Sequence, residues 1–400
     1  MSKEENENIL DNIFNKMLTG KKIIIDPIVL NNDYIPKYLP FREKQISSIG
    51  QSLALILKGN KSSNLLLYGK TGTGKTVVTR YITEKLIERV NNINLIVAYS
   101  NTRISNTGYR ILLDLANAIN LDIPFTGLSI GEVLKRLSDH ISKEKYFIIL
   151  ILDEIDYFIK NHGDNLLYDL TRSNENLHPG FLSIIGISND LNFKEYLNPR
   201  VLSSLGEEEI VFPPYTAIEI KSILEKRADI AFENGTISQA AISLCSALAG
   251  SEHGDARRAV DLLRIAAEVA EREEANKVEE KHVRIAVQRI ERDRNYDALT
   301  SLPLQQKVVL ISILKLNSNC TTGDVHQSYK DTCKKIGIEI LTQRRVSGIL
   351  SELDLLGIIT TNIISHGRYG RTKKIKIGNE FDAQIIREAF KEDQTLSNII

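Results

Sequence analysis

The chain has 400 residues, 42% of them hydrophobic and 26% charged. That balance excludes a disordered chain or a fibre and leaves room for two or three domains of about 150 residues each. The 51 Lys and Arg are offset by 51 Asp and Glu, so any attraction to nucleic acid has to come from a local patch. The longest strictly apolar run, 147–152, falls far short of the roughly 18 residues that span a membrane. Residues 1–8 are acidic and polar and lack the apolar stretch of an export signal, so a cytoplasmic location is expected. Cys245, Cys320 and Cys333 are odd in number and without C-x-x-C spacing, so they read as reduced packing residues. Cys320, His326 and Cys333 lack the spacing and the fourth ligand of a zinc site.

In chain order, the prolines at 36 and 40 predict an extended lead-in segment. Short apolar runs then follow at 65–68, 95–98, 147–152, 182–187 and 210–212, separated by longer amphipathic stretches. Such alternation predicts an α/β domain, with a parallel sheet and crossover helices. From 217 the strand signals stop, and helical periodicity covers 217–233, 238–249, 255–273 and 279 to about 294, a small all-helical second domain. The pattern breaks over 295–303. Beyond it, three short helical stretches precede strands at 358–364 and 373–377 around a Gly-rich turn, a third domain of helices followed by a β-hairpin.

Gly69-Lys70-Thr71-Gly72-Thr73-Gly74-Lys75-Thr76 lies between an apolar strand and a helix predicted over 76–90, the context that the phosphate-binding G-x-x-x-x-G-K-[ST] pattern requires. Glycines let the backbone wrap phosphate oxygens and the helix N-terminus presents free N–H groups. Lys75 neutralises the β/γ-phosphates, and the Thr76 hydroxyl suits Mg²⁺. The run ending in Asp153-Glu154-Ile155-Asp156 sets carboxylates at the end of a buried strand, Asp153 for Mg²⁺ and Glu154 for the water that attacks the γ-phosphate. Asp156 reads as a helix-start carboxylate. Asn189, at the tip of the next strand, suits the γ-phosphate or that water. Arg257, at the helix start Gly254-Asp255-Ala256-Arg257-Arg258, suits γ-phosphate sensing.

These four motifs resemble the Walker A, Walker B, sensor 1 and sensor 2 motifs of AAA+ ATPases. The lead-in from Tyr34 to Glu43, Leu166 to Arg172, Gly186-Ile187-Ser188-Asn189 and Phe212-Pro213-Pro214-Tyr215 further resemble archaeal replication initiators of the origin-recognition and cell-division-control-six type. The resemblance covers nearly the whole chain. It implies an AAA+ core with its lead-in segment over 1–205, a helical lid over 206–298 and a winged-helix domain over 299–400. It also implies ATP and ADP as ligands. Tyr38, Leu39, Pro40 and Arg42 are then base contacts, and Tyr215 and Arg227 complete the nucleotide-binding set. One departure stands out: where AAA+ rings supply an arginine finger from a Ser-Arg pair, this chain has Ser204, with Arg200 one turn earlier. Losing a finger removes about 10³ to 10⁵ from kcat, so slow hydrolysis is expected.

On a helix predicted over 342–356, Val346, Ile349, Leu350, Leu353 and Leu356 form one apolar stripe, leaving Arg344, Ser347, Gly348 and Ser351 outward. Arg345 flanks Arg344. The turn His366-Gly367-Arg368-Tyr369-Gly370-Arg371 reads as a wing, and between 341 and 378 seven basic residues face two acidic ones. Gln343, Arg344, Arg345, Ser347, Arg368, Tyr369, Arg371 and Lys373 are therefore the expected DNA contacts, matching the family at Gln343 to Ser347 and Gly367 to Thr372. The family also inserts a DNA-touching helical segment after the second strand, where Thr107 to Ser129 stand. Ile111, Leu112, Leu115 and Ile119 equally suit a crossover helix packed on the sheet. The resemblance implies an initiator that binds double-stranded origin DNA in the nucleoid and recruits the replicative helicase, alongside other initiator paralogues. Two rival functions keep the same phosphate loop: a signalling ATPase whose winged helix binds protein, and a ring-forming remodelling motor, which Ser204 disfavours.

Overall fold

The five apolar runs form one parallel sheet in the computed structural model of the protein, which describes residues 22–90, 93–205, 208–316, 320–365, 371–391, 393 and 395–396. The strands are β1 (Leu65–Tyr68), β2 (Leu95–Asn101), β3 (Phe147–Asp153), β4 (Phe181–Ser188) and β5 (Glu208–Val211), in the order β2-β3-β4-β1-β5. Around them lie α1 (Glu43–Leu53), α2 (Lys75–Ile87), α3 (Gly108–Ala118), α4 (Ile130–Glu144), α5 (Ile155–His162), α6 (Asn165–Ser173) and α7 (Pro199–Leu205).

Period-2 alternation on β3 sends Ile148, Leu150 and Leu152 into a core with α3, α4, α5 and α6, while Ile149 and Ile151 enter a second core with α1 and α2. Both faces are covered, which is why the strand reads as a continuous apolar run. The register pairs Tyr68 with Ser188, Ile187 with Asp153, and Asp153 with Asn101. It therefore collects the carboxyl ends of four strands along one edge, where open α/β sheets bind ligands. Ile111, Leu112, Leu115 and Ile119 are buried in the first core, so that face of α3 is a packing face.

The lid helices α8 (Ala217–Ala231), α9 (Gln239–Ser251) and α10 (Ala256–Arg272) each start at a polar cap. Thr216 and Glu219 form a reciprocal capping box, Ser238 caps α9, and Asp255 caps α10. The following helix, α11 (Glu280–Thr300), runs straight through the break expected at 295. No Pro or Gly stands between 280 and 302, and Leu299, fully buried, gives its far end a core to pack on. By internal contacts the chain divides into one compact unit over Met1–Arg284 and another over Ile285–Ile400.

The second unit contains α12 (Leu304–Lys315), β6 (Cys320–Thr321), α13 (Thr322–Ile336), α14 (Gln343–Leu355), β7 (Ile359–Ser365), β8 (Arg371–Ile377) and α15 (Ala383–Lys391). Three helices and an antiparallel hairpin are the winged-helix arrangement. The two-residue β6, which adds to β8 to give the order β6-β8-β7, is too short to show a period; α15 is a further element beyond those expected, although Ile385, Ile386, Ala389 and Phe390 recur at helical spacing and all are buried. Val346, Ile349, Leu350 and Leu353 are buried as the stripe predicts, but Leu356 is 57% exposed. It is the C-cap of α14, already past the last turn that faces the core.

Among the described residues no helix is long and apolar enough to cross a membrane. Leu350, with no exposed surface, belongs to the core of this winged-helix unit. Leu350→Ala is expected to destabilise this unit by about 2–5 kcal/mol, read as faster amide exchange across α12, α14 and β8.

Candidate functional site

The phosphate loop closes on its own lysine. Gly72 and Gly74 hold left-handed φ angles of 73° and 90°, which a side chain would strain, and Lys75 opens α2 behind them. Its ammonium donates to the carbonyls of Gly69 (2.7 Å) and Lys70 (2.8 Å) and to Oδ1 of Asn189 (2.9 Å). Burial pushes its pKa down to about 8; Asp153 opposes that shift and Arg257 adds to it. Thr73 is buried and donates to the Lys70 carbonyl at 2.8 Å, while the side chains of Lys70 and Thr71 face outward.

Asp153, 6% exposed at the end of β3, is held through both oxygens. Oδ2 accepts from the Thr76 hydroxyl (2.9 Å) and the Tyr99 hydroxyl (3.0 Å), and Oδ1 from the Glu154 amide (3.0 Å). Tyr99 had escaped sequence reasoning. Burial, then Asp153, pushes its pKa up to about 12, and the Arg80 guanidinium sits over its ring at 4.6 Å. Glu154 adopts φ 55° ahead of α5 and lies 3.7 Å from Arg103. Asp156 does more than start a helix, because its Oδ1 accepts the backbone N–H of Asn189 at 3.1 Å and so holds the main chain from which the Asn189 side chain meets Lys75. A cavity of about 230 Å³ is lined by Lys75, Thr76, Arg80, Asp153, Glu154, Asn189 and Arg257.

Gly72, Gly74 and Arg257 also line a larger cavity of about 690 Å³. Tyr38, Leu39, Pro40, Tyr215 and Arg227 stand on its wall. Asn32, Ile223, Lys226 and Val260 join them, invisible in the sequence because apolar or singly charged helix positions carry no motif. Lys226 stacks over Tyr38 with Nζ 3.8 Å from the ring centre.

Arg42 is not on that wall. Only 2% exposed, its guanidinium donates to the carbonyls of Thr73 (2.9 Å), Phe41 (2.8 Å) and Pro213 (2.7 Å) and stacks on Tyr215, 3.6 Å from the ring centre. Three of its five N–H donors are spent on backbone carbonyls, and it does not line the cavity. Burial lowers its pKa.

The lid reaches the loop through the start of α10. The Asp255 carboxylate accepts the amides of Arg257 (2.8 Å) and Arg258 (3.3 Å), and the Ala256 amide donates to the Gly72 carbonyl at 3.2 Å. A Cβ on Gly72 would lie 1.7 Å from Asp255 Oδ1, so the residue must be glycine for this approach. On α7, Arg200 is exposed and its carbonyl accepts the Ser204 hydroxyl at 2.8 Å.

In the winged-helix unit, Gln343, Arg344 and Arg345 are exposed on the first turn of α14 and Ser347 is half-buried. Arg345 lies 3.6 Å from Glu352, and Lys373 of β8 donates to Ser351 at 2.9 Å, joining hairpin to helix. Arg371 begins β8 opposite Ser365. Arg368 and Tyr369 lie outside the described residues.

Three family models match the chain: an AAA domain over residues 59–192, the Cdc6 AAA+ ATPase-type lid domain over 221–288 and the CDC6 C-terminal winged helix domain over 297–387. An ORC1-type DNA replication protein of Pyrococcus horikoshii is 46% identical across 98% of this chain and 95% of its own length. The chain belongs to the ORC1-type DNA replication proteins. An ORC1-type DNA replication protein 1 of Sulfurisphaera tokodaii is 44% identical, covering 98% of both chains. The structure of Aeropyrum pernix ORC1 in complex with DNA superposes with TM-score 0.81 and 43% identity, over 95% of this chain and all of that one. As a member of this family the chain is a nucleotide-binding AAA+ ATPase and a DNA replication protein.

Two outcomes follow from the geometry. Arg42→Met strands the carbonyls of Phe41, Thr73 and Pro213, and is expected to cost about 2–4 kcal/mol in thermal unfolding and to weaken nucleotide binding, although Arg42 touches no nucleotide cavity. With the Lys75 pKa at about 8, anionic phosphates pull it up on binding. Nucleotide binding near pH 8 is therefore expected to take up a proton, and affinity to fall as pH rises further. Calorimetry in buffers of different ionisation enthalpy measures both.

Proposed function

We propose that this chain is an ATP-dependent replication initiator that binds double-stranded origin DNA and helps to recruit the replicative helicase, with slow ATP hydrolysis acting as a switch. One observation carries this reading: full-length similarity to ORC1-type proteins, with a nucleotide cavity at the sheet edge and an exposed basic turn on the winged helix of the same chain. Its modules are a core over 1–205, a lid over 206–298 and a winged helix over 299–400, acting on cytoplasmic, nucleoid DNA and alongside initiator paralogues.

Lys75 holds the phosphates, the loop from Gly69 to Thr76 wraps them, and Asn189 and Arg257 contact the γ-phosphate. Tyr38, Leu39, Pro40, Tyr215 and Arg227 enclose the base. The Thr76 hydroxyl and the Asp153 carboxylate, 2.9 Å apart at the cavity, are hard oxygen donors of the kind that suits Mg²⁺. Bound there, Mg²⁺ would offset charge on the phosphate oxygens. Glu154 orients the attacking water. Ser204, in place of a finger arginine, favours a switch over a ring motor. Arg344, Arg345, Gln343, Ser347, Arg368, Tyr369, Arg371 and Lys373 contact DNA, as do residues of the segment from Thr107 to Ser129.

Fluorescence anisotropy with origin-derived and scrambled duplexes at two salt concentrations tests the DNA assignment. Origin DNA is expected to bind more tightly and more weakly at the higher salt, with Arg344→Ala/Arg371→Ala losing about tenfold or more. Folded, ATP-bound protein that binds no duplex at either salt would send the winged helix to a protein partner instead. Glu154→Gln is expected to keep ATP binding and lose hydrolysis.

A further inference from the structure

Resting on the nucleotide reading, we propose that Glu271 and Arg227 clasp the segment 23–34 to the lid, making the base-side wall of the cavity a part of the lid. Glu271 is then a positioning residue for the nucleoside that never touches it.

The segment is gripped chiefly by its backbone. Oε1 of Glu271, on α10, accepts the amides of both Ile23 (2.9 Å) and Ile24 (3.0 Å). The Ala231 carbonyl, ending α8, accepts those of Ile25 (2.7 Å) and Asp26 (3.2 Å), and the Glu233 amide donates back to Ile23 at 3.1 Å. From α8 the Arg227 guanidinium donates to the carbonyls of Val29 (2.5 Å), Asn31 (3.2 Å) and Tyr34 (3.5 Å) and lies over the Tyr34 ring. Asn32 donates to Asp261 of α10 at 3.3 Å. Ile23, Val29 and Leu30 are fully or almost fully buried.

A carboxylate and a guanidinium spent on backbone groups are strong, directional ties. Each holds the segment to a lid helix, not to the sheet. Immediately after the clasp the same segment turns into the wall: Tyr34, Pro36 and Tyr38 face the cavity, with Ile223 and Lys226 of α8 also lining it. The phosphate side takes most of its wall from the core, through Lys75, Thr76, Asp153, Glu154 and Asn189, with Asn32 and Asp33 of the segment, Ile35 just after it and Arg257 of the lid lining it as well. Loosening the clasp should therefore weaken base-dependent binding more than phosphate-dependent binding, because the segment and its continuation through Pro40 supply more of the base-side wall than of the phosphate side, and Glu271 itself lines neither cavity.

The test uses the full chain, with ADP and inorganic tripolyphosphate as probes. Glu271→Ala is expected to bind ADP about five- to tenfold more weakly, about 1–1.4 kcal/mol, and to release it faster. Tripolyphosphate affinity should stay within about twofold. Glu271→Gln keeps an acceptor oxygen and is expected to retain most of the affinity. Equal weakening for ADP and tripolyphosphate, or wild-type ADP affinity in folded Glu271→Ala, overturns the proposal. Hydrogen exchange on the wild-type chain gives a second reading. ADP should slow the Ile23 to Asn31 amides together with those of α8 and α10, and unchanged exchange there also overturns it. Folded wild type that binds no ADP would sink the underlying nucleotide reading instead.

Discussion

A buried arginine sets the geometry on which the nucleotide site depends. The Arg42 guanidinium is sealed from water, and a desolvated charge is tolerable only where acceptors surround it. It finds them in three separate parts of the chain: the phosphate loop at Thr73, its own lead-in at Phe41 and the turn after β5 at Pro213. None of the three can shift without uncovering that charge. The same packing explains Gly69, where a Cβ would lie 2.5 Å from the Phe212 carbonyl. The loop is thus clamped from outside as well as shaped by its own glycines.

Inside that clamp, hydrogen bonds join the strand tips into one network. Asp156 holds the main chain of Asn189, the Asn189 side chain accepts from Lys75, and Asp153 gathers Thr76 from the loop and Tyr99 from the neighbouring strand. Groups from β2, β3 and β4 and from α2 therefore meet within a few ångströms because the register aligns their ends. Chemistry at the site is a product of strand register before it is a product of any one motif.

Much of this was legible in the sequence. The phosphate loop, the acids ending β3 and the alternation of runs carry their meaning locally, through spacing and period, and the order of elements followed from them. Arg42 was misread as a base contact because an arginine beside prolines looks the same whether its fork meets a ligand or backbone; only the fold shows which acceptors are near. Tyr99 and Glu271 left no signal at all, since the latter's partners lie 248 and 247 residues away. The end of α11 was misplaced because polar composition around 295 resembles a linker, while Leu299 finds a core the local pattern cannot reveal.

The three cysteines have a practical consequence. All are free thiols and all are buried, and burial pushes Cys245 up to about 12 and raises Cys320 and Cys333 as well. Thiolate, the form that oxidants and alkylating reagents attack, is scarce at every one of them near neutral pH. The three thiols of the folded protein are therefore poorly reactive toward such reagents. A single cysteine placed on an exposed position would be the reactive one, and a dye attached there would report its surroundings without the native thiols having to be removed.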